Sequence, residues 1–402
     1  MIQKKWIVAV TAGKWQIHGI KEAQAAGLGV IAIDDDTYAA GLSIADIGIP
    51  VGIHNTSAIV QQLHSLNLLI SGVVCFCSEV GMLPAAKIRE ALKIQGLTVD
   101  QTLKLTDKAL QRQLWKNARV PSPQFKVVDT LKDAVTTLSL SKSPTIIKPT
   151  DSSGSRGVIK IEPTMSPTRC RQAIKDAFAH SSTSRILIEE YMEGTEFTVE
   201  TFVTSGKVIV LAVTEKKKIE HISGCVSYEL STPAVDAPYL TSLKHTVIRA
   251  FEALEYKNGP GHAEVILMKD GRIGMVEVAG RGGGFLVADR LVPLISGVNV
   301  ARLTALQASG EPIRDIPISS KKSAVLRFIP SREGQVYGFS GFTEAQKLEG
   351  VEADSFVCVG DKVRQPQSDG DRLGYILALA DSPSQAQQKA DQAESLLSYD
   401  IR

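Results

Sequence analysis

The segment GHAEVILMKDGRIGMVEVAGRGGGFLVADR, residues 261–290, constrains the fold more than any other stretch. Two apolar runs flank Lys269-Asp270-Gly271, and a short turn between apolar runs predicts a β-hairpin. Glu264 and Glu277 sit one in each run, so strand pairing can bring both carboxylates onto one face. Adjacent carboxylates repel, and one stays protonated unless a cation lies between them. A divalent ion removes that penalty. Mg²⁺ accepts one or two carboxylates and completes its shell with phosphate oxygens and water. Arg281 follows, a planar donor suited to phosphate or carboxylate. Gly282, Gly283 and Gly284 then let backbone approach a ligand closely. For these residues alone the competing reading is a solvated hairpin with ordinary surface charge.

The 402 residues exceed one typical core, so two or three domains are expected. WIVAV (6–10) and VIAID (30–34) flank a helical stretch from about Gln16 to Ala26, which makes a βαβ unit. A helix over 56–66, a strand GVVCFC (72–77) carrying Cys75 and Cys77 as packing residues, and a helix over about 84–94 continue the alternation. Residues 1–98 therefore read as an open parallel α/β domain. It lacks a GxGxxG fingerprint, which weakens a nicotinamide reading. A second region, 99–320, begins with a helix over 106–118, with Thr106 as N-cap and Asp107 in its first turn. Within it, 196–217 form a hairpin turned at Ser205-Gly206, and 221–240 form a long polar loop. From 321 to 402 short strands alternate with Gly-rich breaks and end in a helix over 382–399.

Net charge of +2 gives no electrostatic case for nucleic acid or membrane. No stretch reaches the roughly 18–20 apolar residues of a membrane span, and the first residues hold too short an apolar run for a signal peptide. Five scattered cysteines lack metal-ligand spacing. The expected location is the reducing cytoplasm.

Ser152-Ser153-Gly154-Ser155-Arg156-Gly157 lies between two strands, 145–149 and 158–161. Small residues expose backbone N–H groups and Arg156 adds charge, so the loop is a phosphate cradle candidate. It is not a Walker A sequence, since no GKS or GKT follows. Lys148 precedes it, placed to reach phosphate oxygens. Glu189 and Glu190 end the strand ILI, where an acidic side chain and nearby backbone can read adenine. Glu196 is placed to accept ribose hydroxyls. His262 reads as an ordinary strand histidine, and Lys216 to Lys218 as a solvated face.

Taken in order, DK (107–108), KPTDSSGSRGV (148–158), EEYMEGTEF (189–197) and HAE…VEVAGR (262–281) resemble the ATP-grasp superfamily, over nearly the whole chain. The EVAGRGGG form resembles its L-amino-acid ligase, or carboxylate–amine ligase, branch. The resemblance implies an α/β and α+β multidomain chain. It would hold a pre-ATP-grasp domain (1–98), an ATP-grasp domain (99–320, lid about 120–195) and a small C-terminal β-rich subdomain (321–402). Lys108 and Lys148 would bind the phosphates of ATP, with Lys148 also catalytic. Ser153, Gly154, Ser155, Arg156 and Gly157 would form the lid. Glu189, Glu190 and the Tyr191 and Met192 backbone would hold adenine, and Glu196 the ribose. Glu264 and Glu277 would hold Mg²⁺, or Mn²⁺ in its place. Arg281 would steady an acyl phosphate. Many members carry Asn two residues after the second metal Glu, and this chain has Ala279, so a second ion would rely on Glu277 alone.

The chemistry implied is ADP-forming ligation of a carboxylate to an amine through an acyl phosphate, with an amino acid as one substrate and a homodimer left open. Glu79, at the carboxyl end of a parallel strand, is placed to hold an amino group. His221 resembles a substrate-loop histidine of the amino-acid ligases. Gly283, Gly284, Arg281 and Arg327 complete the substrate candidates. Two rivals remain. One is a purine-pathway ligase or carboxylase activating formate or bicarbonate, and the other is a non-catalytic nucleotide-binding module.

Overall fold

In the computed structural model, which describes residues 3–219, 226–320 and 322–402, the first sheet is parallel. Its strand order is Ile47–Pro50, Gly29–Asp34, Trp6–Val10, Ile70–Val74. Side chains alternate along these strands. Ile7, Ala9, Val30 and Ala32 pack into one apolar cluster, while Val8, Val10, Ile31 and Ile33 pack into another. Both faces are thus covered, as a parallel sheet requires. The strand expected over 72–77 ends at Val74. Cys75 and Cys77 lie beyond it, where their thiols donate to the carbonyls of Ser78 and Trp15.

A four-stranded antiparallel sheet, in the order Phe125–Val128, Ile186–Glu190, Thr145–Pro149, Ile159–Ile161, carries the glycine- and serine-rich loop between its last two strands. The helices Leu131–Ser139 and Pro167–Ala179 pack on it through Ala134, Ala173, Ile174 and Ala177. Gly154, Ser155 and Gly157 all take positive φ, which is where the turn requires glycine or a small polar residue.

The central sheet has eight strands. Their order is Ile273–Ala279, Gly259–Met268, Gly194–Thr204, Lys207–Lys218, Ser227–Ser231, Ser323–Pro330, Arg372–Ala380, Val351–Ser355. It runs without a break across position 320, so the expected boundary at 320/321 does not separate two sheets. Ser227–Ser231 is a strand within the stretch read as loop. A further strand, Ser398–Ile401, follows the last helix, Pro383–Leu396. It pairs with Gly334–Ser340, which also pairs with Lys362–Val363.

The two hairpins expected from sequence both form, and each carries a bulge. Leu267 pairs Ile273 and Val265 pairs Met275, but Glu264 pairs Glu277 after a register shift. Likewise Thr204 pairs Lys207 and Val210 pairs Thr201, but after a shift Lys216 pairs Glu196. A one-residue bulge flips every later side chain to the other face. Without these two bulges Glu264 would oppose Val276 and Glu196 would oppose Glu215.

One helix boundary differs from expectation. Thr106 ends the helix Val99–Thr106, and Asp107 caps a new one, Lys108–Asn117. Its carboxylate accepts the amides of Ala109 and Leu110 at 2.8 and 3.2 Å, satisfying first-turn donors that are otherwise orphaned. Among the described residues no single helix is long and apolar enough to cross a membrane.

Candidate active site

The parallel sheet, the loop-bearing sheet and the eight-stranded sheet enclose a cleft of about 1330 Å³. The cap at Asp107 makes Lys108 the first residue of its helix, with its amide on the Thr150 carbonyl at 2.8 Å. Its Nζ donates to the Ser152 carbonyl at 2.6 Å and lies 3.0 Å from Glu277. Lys108 therefore ties the phosphate-loop candidate to the metal candidate. Ser153, Gly154, Ser155 and Arg156 line the cleft, while Gly157 turns the chain just behind them.

Glu264 and Glu277 are direct cross-strand partners, which puts their side chains on one face. Each is met by a lysine, Glu264 by Lys216 at 2.6 Å and Glu277 by Lys108 at 3.0 Å. Burial alone would raise the Glu264 carboxyl, but Lys216 and His262 hold it well below its usual range. Burial would lower the Lys216 ammonium, and Glu196 and Glu264 together hold it well above its usual value. Lys216 is thus a buried ion-pair centre and not part of a solvated face, because the bulge turns it inward toward Glu196 at 2.8 Å. Lys217 and Lys218 remain partly exposed, paired with Glu229 and Glu196.

His262 is more than a strand filler. Glu200, across the strand pair, contacts its Nδ1 and accepts the Gly283 amide at 3.0 Å. Burial would lower the imidazole, but Glu200 and Glu264 push it up to about 9. Gly283 is thereby fixed by Glu200 and is not among the residues lining the cleft, whereas Gly284 is. Arg281 lines the cleft, with Nη2 on Glu79 at 2.9 Å and Nη1 on the Gly282 carbonyl at 3.0 Å. Its Nε is buried and has no hydrogen-bond partner among the described residues. A buried unpaired donor is costly unless a ligand accepts from it.

Glu189, Glu190, Tyr191 and Met192, expected at adenine, all line the cleft. Glu189 is buried between Arg112 at 2.6 Å and Lys148 at 2.7 Å. It is a counter-ion for Lys148 while also lining the cleft. Burial would raise its carboxyl, and both cations hold it low. Burial also pulls the Lys148 ammonium down. Glu190 is exposed at the cleft edge. The amides of Glu190 and Tyr191 donate to the carbonyls of Gln124 and Pro144, so these two N–H groups are engaged within the protein. Glu196 lines the cleft but is engaged by Lys216 and Lys218.

Arg327 is not brought to the cleft. Phe328 beside it points there, so the two-residue period of the strand sends Arg327 the other way. It is buried against Glu229, Asp391 and Glu394. His221 lies outside the described residues. Glu200 and Arg112 were missed in the sequence, and Lys216 was read there as part of a solvated face. Each lies on a regular strand or helix without a local motif, and only pairing register or helix packing shows its place.

Among the described residues no group of three or more His, Cys, Asp or Glu is arranged as a metal cage. The donor set still fits Mg²⁺. Two hard carboxylates share one face, two ammonium groups now sit at the positions a cation would neutralise, and phosphate oxygens would supply the remaining ligands.

Residues 141–289 match the ATP-grasp domain family, and residues 327–402 match L-amino acid ligase C-terminal domain 2. An L-arginine-specific L-amino acid ligase of Bacillus subtilis is 22% identical over 77% of this chain and 75% of its own length. An alanine–anticapsin ligase of Bacillus subtilis is 24% identical over 56% of this chain and 51% of its own length. The chain spans 65% of another relative, an uncharacterised protein of Sinorhizobium fredii, at 25% identity over 78% of this chain. It therefore covers about half to two thirds of these last two. An L-amino acid ligase structure from Bacillus licheniformis superposes over 100% of both chains with a TM-score of 0.85 at 21% identity. A phosphoribosylglycinamide synthetase from Anaerococcus prevotii does so at 0.77 and 20%, also over 100% of both. At such identities the likeness shows the fold. Since the matched segment runs from the strand before the phosphate loop past the end of the metal hairpin, residues 141–289 carry the ATP-grasp domain, and the chain resembles the L-amino acid ligase branch of that superfamily.

Proposed function

We propose that the chain is an ATP-dependent carboxylate–amine ligase that releases ADP and phosphate, with an amino acid as the carboxylate substrate. The observation that carries this reading is the Arg281–Glu79 pair beside the Glu264–Glu277 face. An ammonium reader and an arginine with an idle buried Nε stand next to the candidate metal carboxylates. That is what an α-amino carboxylate needs when its carboxyl oxygen attacks a phosphoryl group.

Lys108 and Lys148 would neutralise the phosphate chain, each oriented by a carboxylate, Glu277 and Glu189. The 153–157 loop would cover it and exclude water. Glu264 and Glu277 would hold Mg²⁺, which when bound offsets charge on the β- and γ-phosphates. The substrate carboxylate attacks the γ-phosphorus and ADP leaves. The amine nitrogen then attacks the acyl carbon, inorganic phosphate leaves, and the amine's protons pass to phosphate and solvent. Arg281 would stabilise the oxygen charge in both steps. Catalysis is positioning and charge neutralisation. Lys148 would act at the phosphates, Glu79 at the substrate ammonium, and Glu190 with the Met192 backbone at adenine.

The test is nucleotide analysis. The full chain is incubated with ATP, Mg²⁺ and a panel of amino acids, and nucleotides are separated while new amides are sought by mass. The expected result is ADP release that depends on an amino acid, with a matching amide. AMP as the main product would reject the phosphoryl-transfer reading. ADP release with formate or bicarbonate and a ribose phosphate amine, but with no amino acid, would move the function to the purine-pathway type.

A further inference from the structure

A second cavity, of about 1020 Å³, backs onto the cleft and shares no lining residue with it. It opens between the helix Met82–Ala91, the hairpin turn at Ser205-Gly206, the start of the strand Gly259–Met268 and the end of the helix Val300–Ala308. Arg89 lines it and is only 8% exposed. Nε donates to the Leu97 carbonyl at 3.0 Å and Nη1 to the Val73 carbonyl at 2.7 Å. Gly96, at a φ of +145°, lets the chain pass over the arginine, since a Cβ there would come 2.8 Å from Arg89 Cδ. The guanidinium is thereby fixed in position, while Nη2 has no hydrogen-bond partner among the described residues.

What sets Arg89 apart is its want of a counter-ion. The other buried arginines each meet a carboxylate, Arg112 at Glu189, Arg327 at Glu229 and Arg372 at Asp369. Among the described residues Arg89 meets none. Burial pulls its guanidinium down to about 10, against the opposing pulls of Cys75, Tyr256 and Glu90. None of these three pairs with it. Burial holds the Cys75 thiol up at about 11 and raises the Tyr256 hydroxyl, which donates to the Pro260 carbonyl at 2.8 Å. Glu90 accepts the Val99 amide at 2.8 Å. A buried charge left unpaired is costly unless a ligand supplies the opposite charge.

The rim carries the same sign. Lys93, Lys207, Lys257 and Arg314 also line the cavity, are exposed, and have no ion-pair partner among the described residues. Glu311 is the single carboxylate in the cavity wall, and Lys5 holds it at 2.8 Å. Arg89 and the four rim cations thus face a space with no uncommitted carboxylate. Val73, Met82, Leu97 and Ile313 add apolar wall. A fixed guanidinium with one idle amino group, ringed by flexible point charges, suits a doubly charged phosphate better than a single carboxylate. The volume leaves room beside that group for the rest of a small organic molecule.

We propose that this second cavity is a binding site for a small molecule carrying a phosphate group, with the phosphate on Arg89 Nη2 and the rim lysines, separate from the nucleotide and substrate positions of the cleft. The inference does not depend on the ligase reading above.

The test is isothermal titration of the full chain with inorganic phosphate, after the cleft has been saturated with Mg²⁺ and a non-hydrolysable ATP analogue. Acetate at equal ionic strength is the comparison. The expected result is saturable binding of a single phosphate and none of acetate. Loss of a hydrogen bond to a charged group predicts at least about tenfold weaker phosphate binding in Arg89→Leu. Arg281→Leu, which alters the cleft, leaves phosphate binding within about twofold of wild type. If Arg89→Leu fails to fold, the double variant Lys93→Ala, Lys257→Ala decides, because both side chains are exposed. Weaker phosphate binding at an unchanged melting temperature is expected there. Wild-type protein that binds no phosphate under these conditions overturns the inference. So does equal phosphate affinity in wild type and in the Arg89 and lysine variants, which leaves Arg89 as a brace for the Leu97 and Val73 carbonyls. Binding lost in Arg281→Leu and kept in Arg89→Leu assigns the phosphate to the cleft and overturns it too. Acetate bound as tightly as phosphate overturns the phosphate assignment.

Discussion

At the scale of single residues, the cleft is a chain of buried opposite charges. Lys216 touches Glu196 and Glu264, Lys108 touches Glu277, and Lys148 touches Glu189. Removing one partner of a buried pair leaves the other uncompensated, typically at about 3–5 kcal/mol. Lys216→Met should therefore destabilise the protein by about that much. Added Mg²⁺ should restore part of the loss, since a cation at Glu264 takes over the role of the ammonium. Denaturant melts with and without Mg²⁺ measure both effects, and a variant as stable as wild type would contradict the ion-pair account. Glu277→Gln makes a different prediction. Glu277 is partly exposed and keeps its shape as Gln, so the loss of stability should be smaller than for Lys216→Met, while ATP-dependent turnover falls by at least about a hundredfold. Normal turnover in that folded variant would remove Glu277 from the metal site.

At the scale of elements, the site depends on two β-bulges. One sets Glu264 opposite Glu277, and the other sets Lys216 opposite Glu196. Here the sequence was partly legible. The turns at Ser205-Gly206 and Lys269-Asp270-Gly271 announce the hairpins, and the order of motifs announces the superfamily. Bulges leave no mark in single-sequence periodicity, so Lys216 looked like surface charge. Strand pairing to distant segments is equally silent, which hid the strand Ser227–Ser231 and the true setting of Arg327. The helical turn Val287–Leu291 gives a pH prediction. Burial raises the Asp289 carboxyl to about 7, against the opposing pull of Arg290. The folded state then keeps a proton that the unfolded chain loses near its ordinary value of 3.8. Asp289 therefore favours folding least at high pH, and stability falls as pH rises from about 4 to 7. Asp289→Asn should be more stable than wild type at pH 8, by on the order of 2 kcal/mol, and should lose that advantage at pH 4. Parallel stability curves across this range would show that Asp289 is not the group responsible. The loop 152–157 gives another prediction. It has few buried contacts, so its amides should exchange quickly in the free protein and slow on adding ATP and Mg²⁺. Equal exchange in both states would count against a lid.

At the scale of the whole molecule, the decisive feature is the unbroken eight-stranded sheet. Sequence style changes at 321 and the C-terminal domain match begins at 327, while one sheet and one apolar core span that position. Phe202, Leu211 and Leu230 share one apolar cluster with Leu326, Phe328, Tyr375 and Leu377. Glu229 on one side of position 320 is bound by Arg327 and Gln387 on the other. A chain cut after Ser320 would turn Ser227–Ser231 into an open edge and expose Phe202 and Leu291, both now essentially inaccessible. Open edges backed by apolar surface pair with other chains. The fragment 1–320 should therefore aggregate, or melt well below the full chain without a sharp transition, even though it holds Lys108, Lys148, Glu264, Glu277 and Arg281. Supplying residues 321–402 as a separate chain should restore solubility, because the missing strands can add back to the same edge. A soluble 1–320 fragment with the melting temperature and ATP affinity of the full chain would show that residues 1–320 fold independently of the strands beyond. The expected failure of that fragment has a functional counterpart. The strand Arg372–Ala380, which completes the shared core, also begins with an arginine that lines the cleft, so the C-terminal segment stabilises the fold and supplies a wall of the site with the same few residues.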